Sequence, residues 1–376
     1  MMALRPLHTL CLASALSLVS ASAATPAPLA GALRELREVA AEGKGNVPAS
    51  AAWKRVAAAD AKAVPAILAA MDGANDYALN WLRAAAETVA QREAAAGHAL
   101  PVAELRKFLA DVKHHPKARR FAYELIARAE PATARALLPG FVNDPGSELR
   151  REAVQERVDA AAKNVATDKA AAVAGFRSAL GYSREADQVD DIAKRLTDLG
   201  EKVDLQEAFG WVTRWKLIGP FDNTGGAGFE KEFAPERSVD FAAEADGKTA
   251  KVRWVDLVAK NDYGFVDFNQ PFTALKEVTG YAHAEFWSDK ARTAQVRIGT
   301  ENGWKLWVNG KFLFGREEYH RNTEIDQYRV PVELKAGSNT FLVKCTQNEQ
   351  VEDWTKTWQF QLRVTDELGT PIVPTK

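Results

Sequence analysis

The pattern of apolar positions changes from helical to strand-like near Leu205. Before that point, apolar residues recur every three or four positions, which predicts amphipathic helices. Three such runs are Leu33, Leu36 and Val39; Leu105, Leu109 and Val112; and Phe121, Leu125 and Ile126. This part is also rich in Ala, Leu, Arg and Glu, which favour helices. Gly and Pro break the pattern into segments of about 11 to 20 residues, which predicts a stack of helices.

The segment around Asp144 indicates how these helices are joined. Asp144 and the proline after it predict a turn, Ser147 can cap the next helix, and Arg150 lies one turn into that helix. This arrangement resembles a HEAT repeat, whose second helix often follows an aspartate-containing turn. Weaker echoes occur at residues 116–122 and 73–79, at a spacing of about 30 to 40 residues that suits helical-repeat arrays. The alternative is an irregular helical bundle.

Beyond Leu205, apolar and polar residues alternate as they do in half-buried strands. Trp358, Phe360, Leu362 and Val364 share one side of such a run, as do Ala294, Val296 and Ile298. Asn309 and Gly310 separate two apolar runs and predict a two-residue hairpin turn, because both positions favour positive φ. Eight of the ten tryptophans lie in this part. The pattern predicts roughly eight to ten strands, enough for an antiparallel β-sandwich of two sheets.

Three motifs in this part resemble those of galactose-binding-like jelly-roll domains. They are Trp-Lys-Leu-Ile-Gly-Pro-Phe at residues 215–221, Trp-Val-Asn-Gly at residues 307–310, and Leu-Lys-Ala-Gly-Ser-Asn-Thr-Phe-Leu-Val-Lys at residues 334–344. The sugar-binding domains of family 2 glycoside hydrolases and several carbohydrate-binding modules share this outline. The resemblance covers residues 211–364 and implies a jelly roll that binds carbohydrate. A helical half followed by such a sandwich also resembles secreted bacterial proteins of uncharacterised role.

The length of the chain indicates how many domains it has, and its net charge disfavours some kinds of partner. A chain of 376 residues suits two domains, which we place at residues 24–205 and 206–376. The fold class predicted is therefore multidomain α plus β, a helical repeat stack followed by an antiparallel sandwich. The net charge of -1 gives no basic surplus for binding nucleic acid. We find no cofactor motif and no acidic calcium loop, so neither a cofactor nor a metal ion is predicted.

The first 23 residues have the pattern of a signal peptide. Arg5 precedes an apolar stretch at residues 7–19, and Ala21-Ser-Ala23 fits the site that signal peptidase cleaves. The apolar stretch is shorter than the ~20 residues that span a bilayer, which disfavours an uncleaved anchor. We therefore predict an exported protein, periplasmic or extracellular, without a transmembrane anchor. Cleavage before residue 24 would leave Cys345 as the single cysteine, and its strand-like surroundings predict a buried thiol.

Candidate ligand contacts come from tryptophans with polar neighbours. Trp354 lies in a polar segment and follows Gln347 and Asn348, whose amides can bond hydroxyl groups. Flat indole faces stack on the C–H faces of sugar rings. Trp307 has apolar neighbours on both sides and can face either way. Trp358 belongs to the apolar side of its strand and is predicted to lie in the core. The predicted ligand-binding residues are therefore Trp307, Gln347, Asn348 and Trp354.

These residues favour a non-catalytic role in carbohydrate recognition, because no catalytic constellation is evident. A protein-interaction scaffold at the cell envelope is the alternative, since helical stacks present long surfaces. A glycoside hydrolase is the third hypothesis. Its best candidates, Glu317 and Glu318, are adjacent and would point in opposite directions on an extended chain. A cleft holding two opposed carboxylates would revive it.

Overall fold

The computed structural model describes residues 27–374, so the predicted signal peptide lies outside the described residues. Helices occupy the chain up to residue 209 and antiparallel strands dominate after it, which confirms the predicted α plus β fold class. Two compact units divide at Ala134. The helices from residue 147 to 209 therefore belong to the same unit as the strands. Among the described helices, none has the length and apolar character needed to cross a membrane.

The helices are shorter and less regular than the sequence predicts, since several span fewer than eight residues. They are α1 (Ala27–Arg37), α2 (Asn46–Ala57), α3 (Val64–Ala69), α4 (Asp76–Ala95), α5 (Val102–Ala110), α6 (Pro116–Ala129), α7 (Pro131–Leu137), α8 (Ser147–Ala162), α9 (Lys169–Tyr182), α10 (Ala186–Asp198), α11 (Leu205–Phe209), α12 (Ala234–Arg237) and α13 (Asn269–Phe272). In the first unit, α1 packs on α2 and α5 packs on α6.

A buried arginine recurs at the fourth residue of two helices. In α6, Arg119 donates from Nε and Nη2 to the carbonyl oxygen of Leu109, at 3.0 and 2.9 Å. In α8, Arg150 donates from Nη1 to the carbonyl oxygen of Asp144, at 2.7 Å. Each guanidinium thus bonds the chain that leads into its own helix. This correspondence fits the predicted repeat, and the assignment to HEAT repeats stays a prediction.

The capping of α8 differs from the prediction. Gly146 is the N-cap residue and no side chain caps the helix, so Ser147 does not act as the cap. The carboxylate of Asp144 instead accepts a hydrogen bond from the backbone N–H of Gly146 at 2.8 Å. Aspartate commonly bonds the backbone two residues ahead in this way, which fixes the turn before the helix begins.

The strands form two main sheets. They are β1 (Arg214–Asp222), β2 (Ala245–Asp246), β3 (Lys251–Val252), β4 (Val255–Val258), β5 (Val266–Asp267), β6 (Val278–Ser288), β7 (Arg292–Gly299), β8 (Gly303–Val308), β9 (Lys311–Arg316), β10 (Tyr328–Leu334), β11 (Gly337–Gln347) and β12 (Gln359–Thr365). One sheet has the order β4-β1-β6-β11-β8-β9 and the other has the order β10-β7-β12-β5, while β2 and β3 pair separately. Asn309 and Gly310, both with positive φ, turn β8 into β9 as predicted.

The core lies between the two sheets, and the predicted alternation accounts for it. Residues of the six-stranded sheet pack against those of the four-stranded sheet in one cluster that includes Trp304, Phe286, Phe341, Ile298, Phe360, Leu362 and Val364. Trp358 is fully buried there, as predicted. Its ring stacks on Phe268 at a centroid distance of 4.8 Å, and its Nε1 donates to the carbonyl oxygen of Cys345 at 3.1 Å.

The opposite face of the four-stranded sheet is also buried where β7 and β12 pair, although its residues there are polar. Arg297 and Arg363 are directly paired across β7 and β12. Asp326 lies between them and accepts hydrogen bonds from Arg297 at 2.5 Å and from Arg363 at 2.6 and 2.7 Å. Arg363 also donates to the carbonyl oxygen of Phe209 at 3.1 Å. This network fastens the end of α11 to the sheet.

Asp326→Asn is expected to lower the free energy of unfolding by about 3–5 kcal/mol, because it leaves two buried guanidinium groups without a counter-charge. Urea unfolding followed by tryptophan fluorescence measures this. Asp246→Asn is the matched control. Its side chain is 88% exposed in a surface pair with Lys251, so a change below about 1 kcal/mol is expected. Equal effects of the two variants would contradict the assigned role of Asp326.

The contribution of Asp326 should also depend on pH. Burial raises the pKa of Asp326, but the hydrogen bonds and charges of Arg363 and Arg297 lower it more, so the net pKa lies below the ordinary 3.8. A carboxyl with a depressed folded-state pKa stabilises the fold above its unfolded pKa. The difference between wild type and Asp326→Asn should therefore persist at neutral pH and shrink as the pH falls below 3.8.

Candidate functional site

Trp354 is exposed in the segment that joins β11 to β12. Its side chain is 63% exposed, whereas Trp304 and Trp358 are at most 1% exposed. The ring of His320 meets it edge to face, with centroids 5.4 Å apart and an interplanar angle of 81°. Among the tryptophans of residues 27–374, Trp354 alone is mostly exposed, so it is the first candidate for contact with a ligand.

Asn348 and His320 form the polar side of this site. The His320 Nε2 and the Asn348 Oδ1 are 2.8 Å apart, and the backbone N–H of Gln350 also reaches Asn348 Oδ1 at 3.3 Å. Because an amide oxygen only accepts, His320 Nε2 carries the proton in this arrangement. The Asn348 Nδ2 makes no hydrogen bond within the described residues and can donate to a ligand hydroxyl. Trp354, His320 and Asn348 are called the Trp354 platform below.

The loop beneath the platform is held by the polar side chains of Gln347 and Lys276. Gln347 Nε2 donates to the carbonyl oxygens of Thr355 and Thr357, each at 2.9 Å. Lys276 Nζ donates to the Thr355 carbonyl at 2.6 Å. Gln347 is fully buried with both amide hydrogens engaged, so in this structure it supports the loop and does not face a ligand, unlike the prediction. The residues next to Trp354 are therefore fixed before any ligand binds.

Trp307 lies apart from the other three predicted contacts. In β8 it pairs with Leu342 of β11, and Gln347 follows five residues further along that strand. At ~3.4 Å per residue the two positions are ~17 Å apart. Trp307 is 8% exposed, on the face of the six-stranded sheet opposite the core. The structure thus brings Gln347, Asn348 and Trp354 together and places Trp307 at a second location.

Sequence reasoning missed His320. It lies 28 residues before Asn348, in a segment that reads as a solvated charged loop. Its positive φ of 58° and the bond from its N–H to the Glu301 carbonyl at 2.7 Å set its position. The sequence around His320 does not indicate that its imidazole contacts Asn348 and Trp354. The contact exists only because the fold brings together two loops that are distant in sequence.

The two carboxylates considered for a hydrolase, Glu317 and Glu318, have partners close to them in sequence. Glu318 bonds Arg316 at 2.7 Å and Tyr328 at 3.2 Å, while Glu317 lies 3.4 Å from the hydroxyl of Tyr319. Cys345 is fully buried, and burial raises the pKa of its thiol far above the ordinary range. Residues 27–374 contain no group of three His, Cys, Asp or Glu side chains arranged to hold a metal ion.

Comparisons with known proteins give partial structural similarities. No protein-family model matches the chain, and no curated protein matches it. A family 35 carbohydrate-binding module from an environmental isolate is similar over 29% of this chain and 78% of the module, at 22% identity and a TM-score of 0.20. A PA14 sugar-binding domain from an RTX adhesin is similar over 41% of this chain and 89% of that domain, at 14% identity and a TM-score of 0.23.

An anti-sigma factor domain-containing protein from Clostridium clariflavum is also similar, at 14% identity and a TM-score of 0.26. The similarity covers 44% of this chain and 45% of the Clostridium protein. In each of these three cases the matched part is less than half of this chain.

Cys345 should resist modification in the native protein, because the thiolate is the reactive form and burial disfavours it. We expect a maleimide to label it only after denaturation, as measured by intact mass. Val351→Cys is the matched control, since residue 351 is 70% exposed and the new thiol should react at once. Rapid labelling of native Cys345 would show that the strand is not closed around it.

Trp354→Ala and Trp358→Ala should separate a surface tryptophan from a core tryptophan. Removing the Trp358 ring leaves a cavity against Phe268, which is expected to cost about 3–5 kcal/mol of unfolding free energy. Trp354→Ala should change it by less than about 0.5 kcal/mol, as for surface substitutions. Denaturation followed by circular dichroism measures both. A large loss of unfolding free energy in Trp354→Ala would show that Trp354 stabilises the fold.

Proposed function

We propose that this protein binds carbohydrate without catalysis, through the Trp354 platform of its β-sandwich. The observation that carries this proposal is the 63% exposure of Trp354 beside His320 and Asn348. An accessible indole offers an apolar face to the C–H groups of a sugar ring, and polar groups beside it orient the hydroxyls.

The fixed loop strengthens the proposal energetically. Binding loses free energy when side chains and loops must be ordered at the interface. Here the carbonyl of Thr355, next to Trp354, already accepts hydrogen bonds from the buried side chain of Gln347 and the partly buried side chain of Lys276. The ligand therefore meets a loop backbone that is already held in place.

The proposal extends to location and to the helical part. We propose that residues 1–23 export the protein, so that the platform meets glycans outside the cytoplasm. The helices then act as a spacer or as a second contact surface.

The scaffold alternative is favoured by a cavity of about 440 Å³ beside α4, α5 and α6, lined by apolar residues such as Leu100, Val102 and Leu125.

A glycan array probed with the full chain, followed by calorimetric titration of any glycan it retains, tests the proposal. Trp354→Ala is expected to weaken binding about tenfold, because aromatic stacking contributes about 0.5–1.5 kcal/mol beyond the buried area. Asn348→Ala should also weaken binding, by removal of a hydrogen-bond donor.

The matched control is Val351→Ala, which removes exposed apolar atoms from the same loop without touching the platform. Its affinity should equal that of the wild type. If Trp354→Ala binds as well as the wild type while remaining folded, the platform is not the site. If no glycan is retained at all, carbohydrate binding by this chain is refuted.

A further inference from the structure

The face of the six-stranded sheet opposite the core carries a second set of aromatic and polar side chains. Strand pairing places His283 of β6, Leu342 of β11 and Trp307 of β8 in one cross-strand row. The next row toward the end of the sandwich contains Glu285 and Thr340, which are directly paired. Residues paired across antiparallel strands share a face, so these five side chains form one continuous surface.

A segment at residues 229–254 covers part of this surface. Phe233 and Val252 from the segment pack with Ile218, Tyr281, Trp307 and Leu342 of the sheet in one apolar cluster. Lys344 is completely buried under it and donates to Glu236 of α12 at 2.9 Å and to the carbonyl of Lys231 at 2.8 Å. The hydroxyl of Tyr281 bonds the same carboxylate. Glu236 is thus held by two side chains of the sheet.

The segment at residues 229–254 does not extend over the row that contains Glu285, and a pocket lies at the edge of this segment. The pocket has a volume of about 380 Å³. Trp307, His283 and Leu342 of the sheet line it, residues 235–239 and Phe241 form one wall, and Glu285 and Thr340 also line it. We call it the outer-face pocket. It is separate from the Trp354 platform, since Trp307 and Gln347 are ~17 Å apart along the sheet.

The chemistry of the outer-face pocket suits a polyhydroxylated ring. Phe241 in the wall is 42% exposed, and its ring meets His283 at a centroid distance of 5.1 Å. The carboxylate of Glu285 is exposed and makes no hydrogen bond or ion pair with a described residue. Burial lowers the pKa of His283, which keeps its imidazole neutral near pH 7. Aromatic rings, a carboxylate acceptor and the hydroxyls of Ser238 and Thr340 therefore converge on one cavity.

We propose that the outer-face pocket is a second saccharide site, with Phe241 and Trp307 contacting the ring and Glu285 accepting hydroxyl hydrogen bonds. The proposal rests on the carbohydrate function proposed above and adds a second point of contact. Two sites on one rigid domain raise the avidity for a polymer that can reach both, without any new contact at either site. The expected ligand is thus a polysaccharide rather than a single free sugar.

Fluorine NMR of the full chain labelled with 5-fluorotryptophan tests the two sites separately. Trp307→Phe and Trp354→Phe assign the two resonances, and the probes are xylotetraose, cellotetraose and mannotetraose. With a saccharide that binds, both resonances should shift. Phe241→Ala should weaken the response of Trp307 about tenfold and leave that of Trp354 unchanged. Glu285→Gln should weaken the same response less, because the amide oxygen still accepts.

Val258→Ala is the control, because Val258 is an exposed apolar residue on the edge strand of the same sheet and does not line the pocket. It should leave both responses unchanged. If only Trp354 responds, the second site is refuted and the platform stands. If only Trp307 responds and Phe241→Ala weakens it, the pocket stands and the platform is refuted. If neither responds to the three probes at millimolar concentration, both sites are refuted.

Discussion

The sandwich depends on the burial of charged groups on its two outer faces. A pair of facing sheets needs apolar residues only between them, and the other sides usually meet water. Here Lys344 on one sheet and Arg363 on the other are at most 2% exposed. An unpaired buried charge is strongly destabilising, so each requires a carboxylate from another part of the chain. Glu236 supplies it on one side and Asp326 on the other.

These two ion pairs decide which segments cover the sheets. Glu236 belongs to the segment over the six-stranded sheet, while Arg363 also bonds the carbonyl of Phe209 at the end of the helices. A covering segment that shifted would leave a cation buried without its partner. The position of each covering segment is thus determined by an ion pair as well as by apolar contacts. The loops near Trp354 and the border of the covering segment near Trp307 are two places on the sandwich that remain accessible to a ligand.

The sequence predicts the core of the sandwich well, because strand alternation is a local property. Phe360, Leu362 and Val364 face the core as their spacing indicates. The same alternation predicts solvent for Gln361 and Arg363, and both are buried. A polar residue between apolar ones has the same local pattern whether water or another segment lies over it. The covering segment at residues 229–254 contains only short elements, so no periodicity reveals that it lies on the sheet.

The candidate site could be predicted only in part, for a related physical reason. Trp354 lies in a polar segment, and its exposure follows from that setting. Trp307 has apolar neighbours on both sides, so its direction depends on the sheet and not on the sequence around it. Its side chain is 8% exposed, packs against the covering segment and lines a pocket, so its environment depends on residues about 70 positions earlier in the sequence.

Gln347 shows why an amide at the end of a strand is ambiguous. Its two N–H groups suit a sugar hydroxyl and suit a backbone carbonyl equally well. What decides between them is the loop that follows. A loop without regular structure leaves carbonyl groups that need donors when they are buried. The segment after β11 returns over the strand end, and Gln347 satisfies the carbonyls of Thr355 and Thr357 there. Asn348, one residue later and on the other side of the chain, keeps its amide nitrogen available. Two consecutive residues thus have different roles: Gln347 holds the loop in place, and Asn348 can donate a hydrogen bond to a ligand.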